Sequence, residues 1–268
     1  MNVASLRRMV RHGLERTGLI GPYYRALERR LARSPEASVD DGRPMPPREL
    51  IVSVSGGASE AWFSERGRLD AARFLALAAR RRGSGDPGLD VLDFGCGCGR
   101  IARWLAPQVM SSGGRFSGVD LNARSIEWCS RHLPGRYTEN RLHPPLAFPD
   151  AAFDLVYAHS VLTHLTEQVA TAWLAEIARI LRPDGLAIVT FLDEDYARAW
   201  APPGVLPRLD SEPYVVWNNA LEGSNYMSAW TTRAHFSALA ARRFEVLEIE
   251  PGGTETPDQA AAVLRPIG

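Results

Sequence analysis

The chain has 268 residues, enough for one α/β domain with an extension. Hydrophobic residues make up 45% and charged residues 23%, which supplies a full apolar core and excludes disordered and collagen-like classes. The 31 basic residues balance the 31 acidic ones, so the basic excess of a dedicated nucleic-acid binder is missing and no nucleic-acid partner is expected.

Every basic residue is arginine, a bias that fits a GC-rich bacterial genome. Without lysine, pyridoxal phosphate chemistry through a lysine Schiff base is excluded. The cysteines are Cys96, Cys98 and Cys129, an odd number with two in one glycine-rich turn, so they do not form a disulfide framework. No second Cys/His pair follows at zinc-ligand spacing, and no metal is expected. Arg7, Arg8 and Arg11 are not followed by an unbroken apolar run, so no signal peptide is expected. No stretch approaches the ~20 apolar residues of a membrane span. The expected setting is the cytoplasm, without membrane insertion, and it is compatible with a homodimer.

In chain order, residues 1–50 read as a helical extension and linker, and 51–268 as the main domain. Leu6, Met9, Val10 and Leu14, then Tyr23, Tyr24, Leu27 and Leu31, fall at helical spacing, with a break at 18–22. Pro35, Gly42, Pro44, Pro46 and Pro47 mark 34–50 as a loose wrap. Residues 58–82 form an Ala/Leu/Arg-rich helix ending in a turn over 83–88. A regular alternation follows: strands at 89–94, 116–120, 136–140, 153–158 and 186–192, with helices at 100–109, 123–133 and 166–181. A helix at 232–242 precedes strands at 244–249 and 261–264. This alternation predicts a doubly wound, Rossmann-like α/β fold with a seven-stranded, mostly parallel sheet. The last two strands have no helix between them and should pair antiparallel at one edge. Residues 193–230 break the alternation; their aromatics Trp200, Tyr214, Trp217, Tyr226 and Trp230 either line a substrate pocket beneath a lid or pack the segment onto the sheet.

The stretch Val91-Leu92-Asp93-Phe94-Gly95-Cys96-Gly97-Cys98-Gly99-Arg100 joins a buried strand to a helix. Its glycines let the backbone turn sharply and let a ligand lie against the main chain. The turn falls at the carboxyl end of the first strand, where open α/β sheets bind ligands. It reads G-x-G-x-G, not the G-x-G-x-x-G of a dinucleotide fingerprint. Asp93 precedes it, and a pyrophosphate would be repelled there, whereas a ligand carrying an ammonium and a sulfonium would be attracted. Asp120 ends the second strand, where an acid can hold both ribose hydroxyls. These features weigh against an NAD(P)-dependent oxidoreductase. They also weigh against a non-catalytic partner protein on a degenerate fold.

This stretch resembles the first motif of the class I S-adenosylmethionine-dependent methyltransferases. Gly118-Val119-Asp120-Leu121 resembles their second motif, and 153–165 their fourth strand and following loop. Leu181-Arg182-Pro183-Asp184-Gly185-Leu186 is similar to their L-x-P-G-G turn, with Asp184 in place of a glycine. Ile126-Glu127-Trp128-Cys129 and Pro144-Pro145-Leu146 are closest to a bacterial subgroup found beside polysaccharide and secondary-metabolite genes. The resemblance implies S-adenosylmethionine as cofactor and a small-molecule methyl acceptor. It implies that Asp93, Gly95, Cys96, Gly97 and Gly99 hold the methionine portion. Asp120 would take the ribose, with Leu121 against the adenine and Asn140 at its edge. His159, ending the fourth strand, is the first candidate for a catalytic base and His164 the second, since histidine is the usual proton acceptor near neutral pH. His143 and His235 read as structural.

Overall fold

A computed structural model describes residues 19–82 and 88–267. The expected helix over Leu6–Leu14 and most of the turn over 83–88 lie outside the described residues.

Seven strands make the main sheet: β1 (Asp90–Phe94), β2 (Arg115–Asp120), β3 (Arg136–Glu139), β4 (Phe153–Ala158), β5 (Leu181–Phe191), and, after a separate hairpin of β6 (Tyr214–Trp217) and β7 (Ser228–Thr231), β8 (Phe244–Glu250) and β9 (Ala260–Pro266). Their order is β3-β2-β1-β4-β5-β9-β8. The pairs among β1 to β5 are parallel, and β9 runs antiparallel to both β5 and β8. The doubly wound, mostly parallel fold expected from the alternation is therefore the fold observed, with the antiparallel β8–β9 pair closing one edge. Chain direction across the sheet reverses between β1 and β4, which makes a crevice at their carboxyl ends.

Side chains alternate across each strand. Val91, Phe116, Leu155 and Ile188 face one cluster, and Leu92, Val119, Val156 and Val189 face the other. The first cluster is covered by α2 (Arg48–Ser55), α3 (Glu60–Arg82), α4 (Ala102–Ser111) and α5 (Ala123–His132). The second is covered by α6 (Glu167–Ile180) and, beyond two helices of the inserted segment, α9 (Arg233–Ala240). Asn122 starts α5 by accepting from the N–H groups of Arg124 and Ser125.

Three expectations are corrected. The loose wrap expected over 34–50 gives way at Arg48 to α2, whose Leu50, Ile51 and Val52 are all buried; Leu50 and Ile51 enter the first core cluster despite the proline-rich approach. The helix α1 (Ile20–Ala32) begins within the expected break, because Pro22 sits in the first turn, where its missing N–H has no bond to make. Strand β5 begins at Leu181, directly after α6, and residues 182–185 bulge out between the Phe153↔Leu181 and Leu155↔Leu186 pairs.

Residues 193–230 fold into a small unit with α7 (Glu194–Trp200), α8 (Val205–Leu209) and the β6–β7 hairpin. Leu192, Ala197, Val205, Leu209, Val215 and Trp230 form its core, with Trp217 packed against them. Leu192 bridges to Trp230, tying the unit to the end of β5.

At the opposite, amino-terminal edge, Asp90 is bracketed by two arginines. Arg115 donates Nε and Nη2 at 2.7 and 2.6 Å, and Arg182 donates Nη2 at 2.7 Å. The Arg115 hydrogen bonds outweigh burial and, with Arg182, hold the Asp90 carboxyl down at about 2. A depressed carboxyl stabilises the fold above its unfolded value near 4, and the contribution fades as pH falls toward 2, so it is worth about 2 kcal/mol at neutral pH. Asp90→Asn is expected to lower the melting temperature at pH 7, and the gap to the unmodified protein should close between pH 4 and 2. A gap that stays constant across that range contradicts the assignment.

Candidate active site

The crevice opens into a cavity of about 610 Å³ bounded by the carboxyl ends of β1, β2 and β4, by α1 to α3, and by the segment 223–228. This lies within the ~300–1,000 Å³ usual for small-molecule sites. All the sequence-predicted site residues except Gly99 line it: Asp93, Gly95, Cys96, Gly97, Asp120, Leu121, Asn140, His159 and His164. Gly99 lies behind the wall, where a Cβ would stand 2.3 Å from Leu133 Cδ1. Its role is to let the turn pack on α5, at φ +81°.

The turn is held by β2. Gly95 and Cys96 donate their N–H groups to Val119 O at 2.8 and 2.9 Å, and Gly97 donates to Asp120 Oδ2 at 2.8 Å. Asn122 N–H donates to Asp120 Oδ1 at 2.8 Å. Each carboxylate oxygen keeps a further lone pair for a ligand hydroxyl. Burial raises the Asp120 carboxyl, and the two N–H donors oppose the rise.

Asp93 is 2% exposed, and its Oδ2 makes no hydrogen bond. The Tyr157 hydroxyl approaches without hydrogen-bond geometry and eases its ionisation, while Asp120 adds repulsion. Burial dominates and pushes the carboxyl up to about 7. A buried, unsatisfied carboxyl facing a cavity is poised for a cationic ligand group. With Asp120 at the adjacent strand end and a glycine turn between them, these residues fit S-adenosylmethionine, whose ammonium and ribose hydroxyls would meet Asp93 and Asp120. Cys96 contributes a small buried wall; its thiol approaches Gly97 O at 3.6 Å, and burial pushes it well up, away from thiolate chemistry. Asn140 donates Nδ2 to Arg141 O, and its backbone N–H reaches Asp120 O at 3.1 Å.

The two histidines sit in different surroundings. His159 Nε2 lies 3.7 Å from Asp70 Oδ2, a buried carboxylate on α3 that Arg100 grips at 2.6 Å. Burial lowers His159 to about 3; Asp70 opposes this, and Arg100, Arg73 and Arg66 add to it. His164 Nδ1 is 2.5 Å from the Met227 carbonyl, which only accepts, so Nδ1 carries the proton and Nε2 presents its lone pair. Nε2 faces Ser160 Oγ at 3.4 Å. Burial lowers His164 as well, against the pull of that carbonyl.

Ser160 has φ +59°, a strained backbone for a serine. Its N–H donates to Thr190 Oγ1 (2.8 Å), Thr190 donates to Gln259 Oε1 (2.6 Å), and Gln259 Nε2 donates to Ser160 Oγ (2.8 Å). The unambiguous backbone donor fixes the direction of every link, so the Ser160 hydroxyl proton points to Thr163 Oγ1 (3.0 Å) or His164 Nε2. Met227, Gln259, Thr190 and Asp70 were not singled out from sequence. Only Asp70 left a signal, as an acid four residues before buried Phe74 on the apolar face of α3. Of the five inserted aromatics, Tyr226 lines the cavity. Trp217 and Trp230 pack in the small core, Tyr214 donates to Leu165 O, and Trp200 donates to Gly253 O. His235 pairs with Glu167 at 3.0 Å, and His143 is exposed.

Residues 91–185 match the family model described as a methyltransferase domain. Curated relatives include a malonyl-[acyl-carrier protein] O-methyltransferase from Pectobacterium atrosepticum, 29% identical over 57% of this chain and 58% of that protein. A 2-methyl-6-phytyl-1,4-hydroquinone methyltransferase from Synechocystis is 28% identical over 38% of this chain and 32% of that protein. The chain thus spans less than two thirds of the length of these relatives. Among solved structures, an S-adenosylmethionine-dependent methyltransferase from Mesorhizobium loti covers 74% of this chain and 99% of its own, with TM-score 0.56 and 18% identity. The Burkholderia thailandensis 1,6-didemethyltoxoflavin-N1-methyltransferase, solved with bound 1,6-didemethyltoxoflavin and S-adenosylhomocysteine, covers 87% of this chain and 95% of its own, with TM-score 0.55 and 18% identity. The fold is that of the class I methyltransferases. Residues 91–185 thus match a methyltransferase domain, and the fold around them is shared with S-adenosylmethionine-dependent methyltransferases.

A carboxyl whose folded value is raised loses stability as pH rises from its unfolded value near 4 to the folded value of about 7, and the loss is complete above it, so Asp93 destabilises the ligand-free protein most fully at pH 8. A cationic ligand binds the ionised form. Asp93→Asn is therefore expected to raise the melting temperature of the ligand-free protein at pH 8 and to weaken S-adenosylhomocysteine. In the unmodified protein, calorimetry should show affinity rising between pH 6 and 8 with proton release. A flat profile in both proteins contradicts this role.

Proposed function

We propose that this chain transfers a methyl group from S-adenosylmethionine to a small molecule, a sugar or secondary metabolite, at O or N, in the cytoplasm. The observation that carries this is the pair of buried acids at adjacent strand ends, Asp93 with an unsatisfied oxygen and Asp120 already oriented by two N–H groups, facing one cavity. A pyrophosphate would meet Asp93 unfavourably, which sets the NAD(P) alternative aside. The relatives named above, acting by their names on malonyl-[acyl-carrier protein], 2-methyl-6-phytyl-1,4-hydroquinone and 1,6-didemethyltoxoflavin, support the general class of acceptor. Among the described residues no helix is long and apolar enough to cross a membrane.

The cofactor supplies a methyl activated on a sulfonium. The protein holds the acceptor in line with it and keeps water away, and such positioning contributes roughly 7–11 kcal/mol. For a hydroxyl acceptor, His164 is the proposed proton acceptor. Its tautomer is fixed by Met227 O, and its Nε2 meets the Ser160 hydroxyl inside the cavity. This reverses the order of the two histidines expected from sequence: burial lowers both, but three arginines oppose a charge on His159 as well, whereas His164 has a fixed tautomer with Nε2 toward the Ser160 hydroxyl. An amine acceptor uses its own lone pair and needs neither.

The test is incubation with methyl-labelled S-adenosylmethionine and a panel of sugars, phenols and amines, read as labelled product and S-adenosylhomocysteine. For a hydroxyl acceptor, His164→Ala is expected to lower kcat about 10²–10⁴-fold, while S-adenosylhomocysteine affinity stays unchanged. Cofactor binding with no turnover of any panel member would favour a non-catalytic partner protein.

A further inference from the structure

The chain is neutral as a whole, but its charge is segregated. Residues 1–33 hold eight arginines against two glutamates, so the rest of the chain carries an acidic excess of six. Four of the eight fall on α1 and its C-terminal cap: Arg25, Arg29, Arg30 and Arg33, all exposed. Their three- and four-residue spacing sets them on one face of the helix. Leu19 and Tyr23, 52% and 48% exposed, stand at the start of the same face. Among the described residues no carboxylate pairs with any of the four guanidinium groups.

The inner face is occupied. Ile20 is buried, the Tyr24 ring stacks on Tyr226 with centroids 3.8 Å apart, Glu28 Oε1 accepts from the Tyr226 hydroxyl at 2.9 Å, and the helix packs on α2. Packing on the domain thus accounts for the inner face and leaves the outer one unexplained. Like charges at i and i+4, as at Arg25, Arg29 and Arg33, oppose helix formation. The helix dipole favours Arg29 and Arg30 in the last turn, but it does nothing for Arg25. A row of like charges kept beside two exposed apolar side chains answers to an anionic surface outside the chain.

We infer that the outer face of α1 docks this protein onto an anionic lipid bilayer, lying on the headgroups without spanning the membrane. A bilayer touches this one helix face, whereas an extended polyanion such as RNA would run on to the acidic remainder of the chain. Leu19 and Tyr23 add the apolar contacts that suit the headgroup boundary and that a phosphate backbone does not offer. Each arginine near such a surface strengthens association about fivefold, and the attraction is screened by salt. Glu28, on the inner edge of the same helix, lines the cavity, so a bilayer held by α1 lies about 10 Å, one helix diameter, from the site.

The test is flotation of the full chain with vesicles of phosphatidylcholine alone and of phosphatidylcholine mixed with phosphatidylglycerol. The unmodified protein is expected to float with the mixed vesicles, not with the neutral ones, and to be released as salt rises from about 0.05 to about 0.5 M. Replacing the four arginines together (Arg25→Gln, Arg29→Gln, Arg30→Gln, Arg33→Gln) should weaken binding about 10²–10³-fold, with the melting temperature not lowered. Leu19→Ser with Tyr23→Ser, which keeps every charge, should weaken it about tenfold. A single-stranded RNA in the same buffer should not displace the protein from the vesicles. A folded protein that ignores the mixed vesicles at low salt, or floats equally with neutral ones, overturns the docking surface. Undiminished binding in the four-arginine variant overturns the assignment to α1, and tight RNA binding in place of vesicle binding makes the face a nucleic-acid surface instead.

Discussion

The turn after β1 has to satisfy two neighbours at once. Its N–H groups at 95, 96 and 97 are claimed by Val119 O and the Asp120 carboxylate, so the parallel register of β1 on β2 and the shape of the turn are set together. Side chains larger than hydrogen would collide at 95 with Val161 and at 97 with Val54. The loop after β4 and the end of α2 therefore close directly on the turn, and the cavity takes its floor from that contact. Asp120 serves both sides: it buttresses the turn with bonds that are already made, and it faces the cavity with lone pairs still available. A carboxylate oriented before the ligand arrives loses little freedom on binding.

Asp93 is the counterweight. A carboxyl buried without a full set of hydrogen-bond partners destabilises a fold, and here it stands in the middle of the first strand's ligand-facing end. Stability at the opposite edge runs the other way: Asp90, three residues earlier on the same strand, is surrounded by Arg115 and Arg182 and holds the starts of β1 and β5 together. One short strand thus carries a satisfied acid at its structural end and an unsatisfied one at its functional end, the distribution expected where strain is kept at a site.

Much of this was legible in the sequence, for a physical reason. Strands buried on both faces are nearly continuous apolar runs, so Val91–Phe94, Phe153–Ala158 and Leu186–Phe191 announce themselves, and acids that end such runs stand out. The β8–β9 pair was legible from the missing helix between them. What was hidden depends on partners far apart in the chain. Arg48–Ser55 follows a proline-rich stretch and is a helix because Leu50 to Val52 have a core to enter. The β6–β7 hairpin and its helices are short, and only their mutual packing distinguishes them from loop. The tautomer of His164 is decided by a carbonyl 63 residues away, and the partner of Tyr226 lies 198 residues away. No local pattern encodes either. The proposed preference for His164 over His159 has the same origin, since the arginine neighbours that oppose a charge on His159 come from α3 and the turn.

The most direct measurement is calorimetric titration of S-adenosylhomocysteine into the unmodified protein and into Asp120→Ala, with NADH as the competing ligand. The predicted result is micromolar S-adenosylhomocysteine binding that Asp120→Ala weakens by about tenfold or more, with no NADH binding. A folded protein that ignores S-adenosylhomocysteine, or that takes NADH in its place, would contradict the assignment of this cavity.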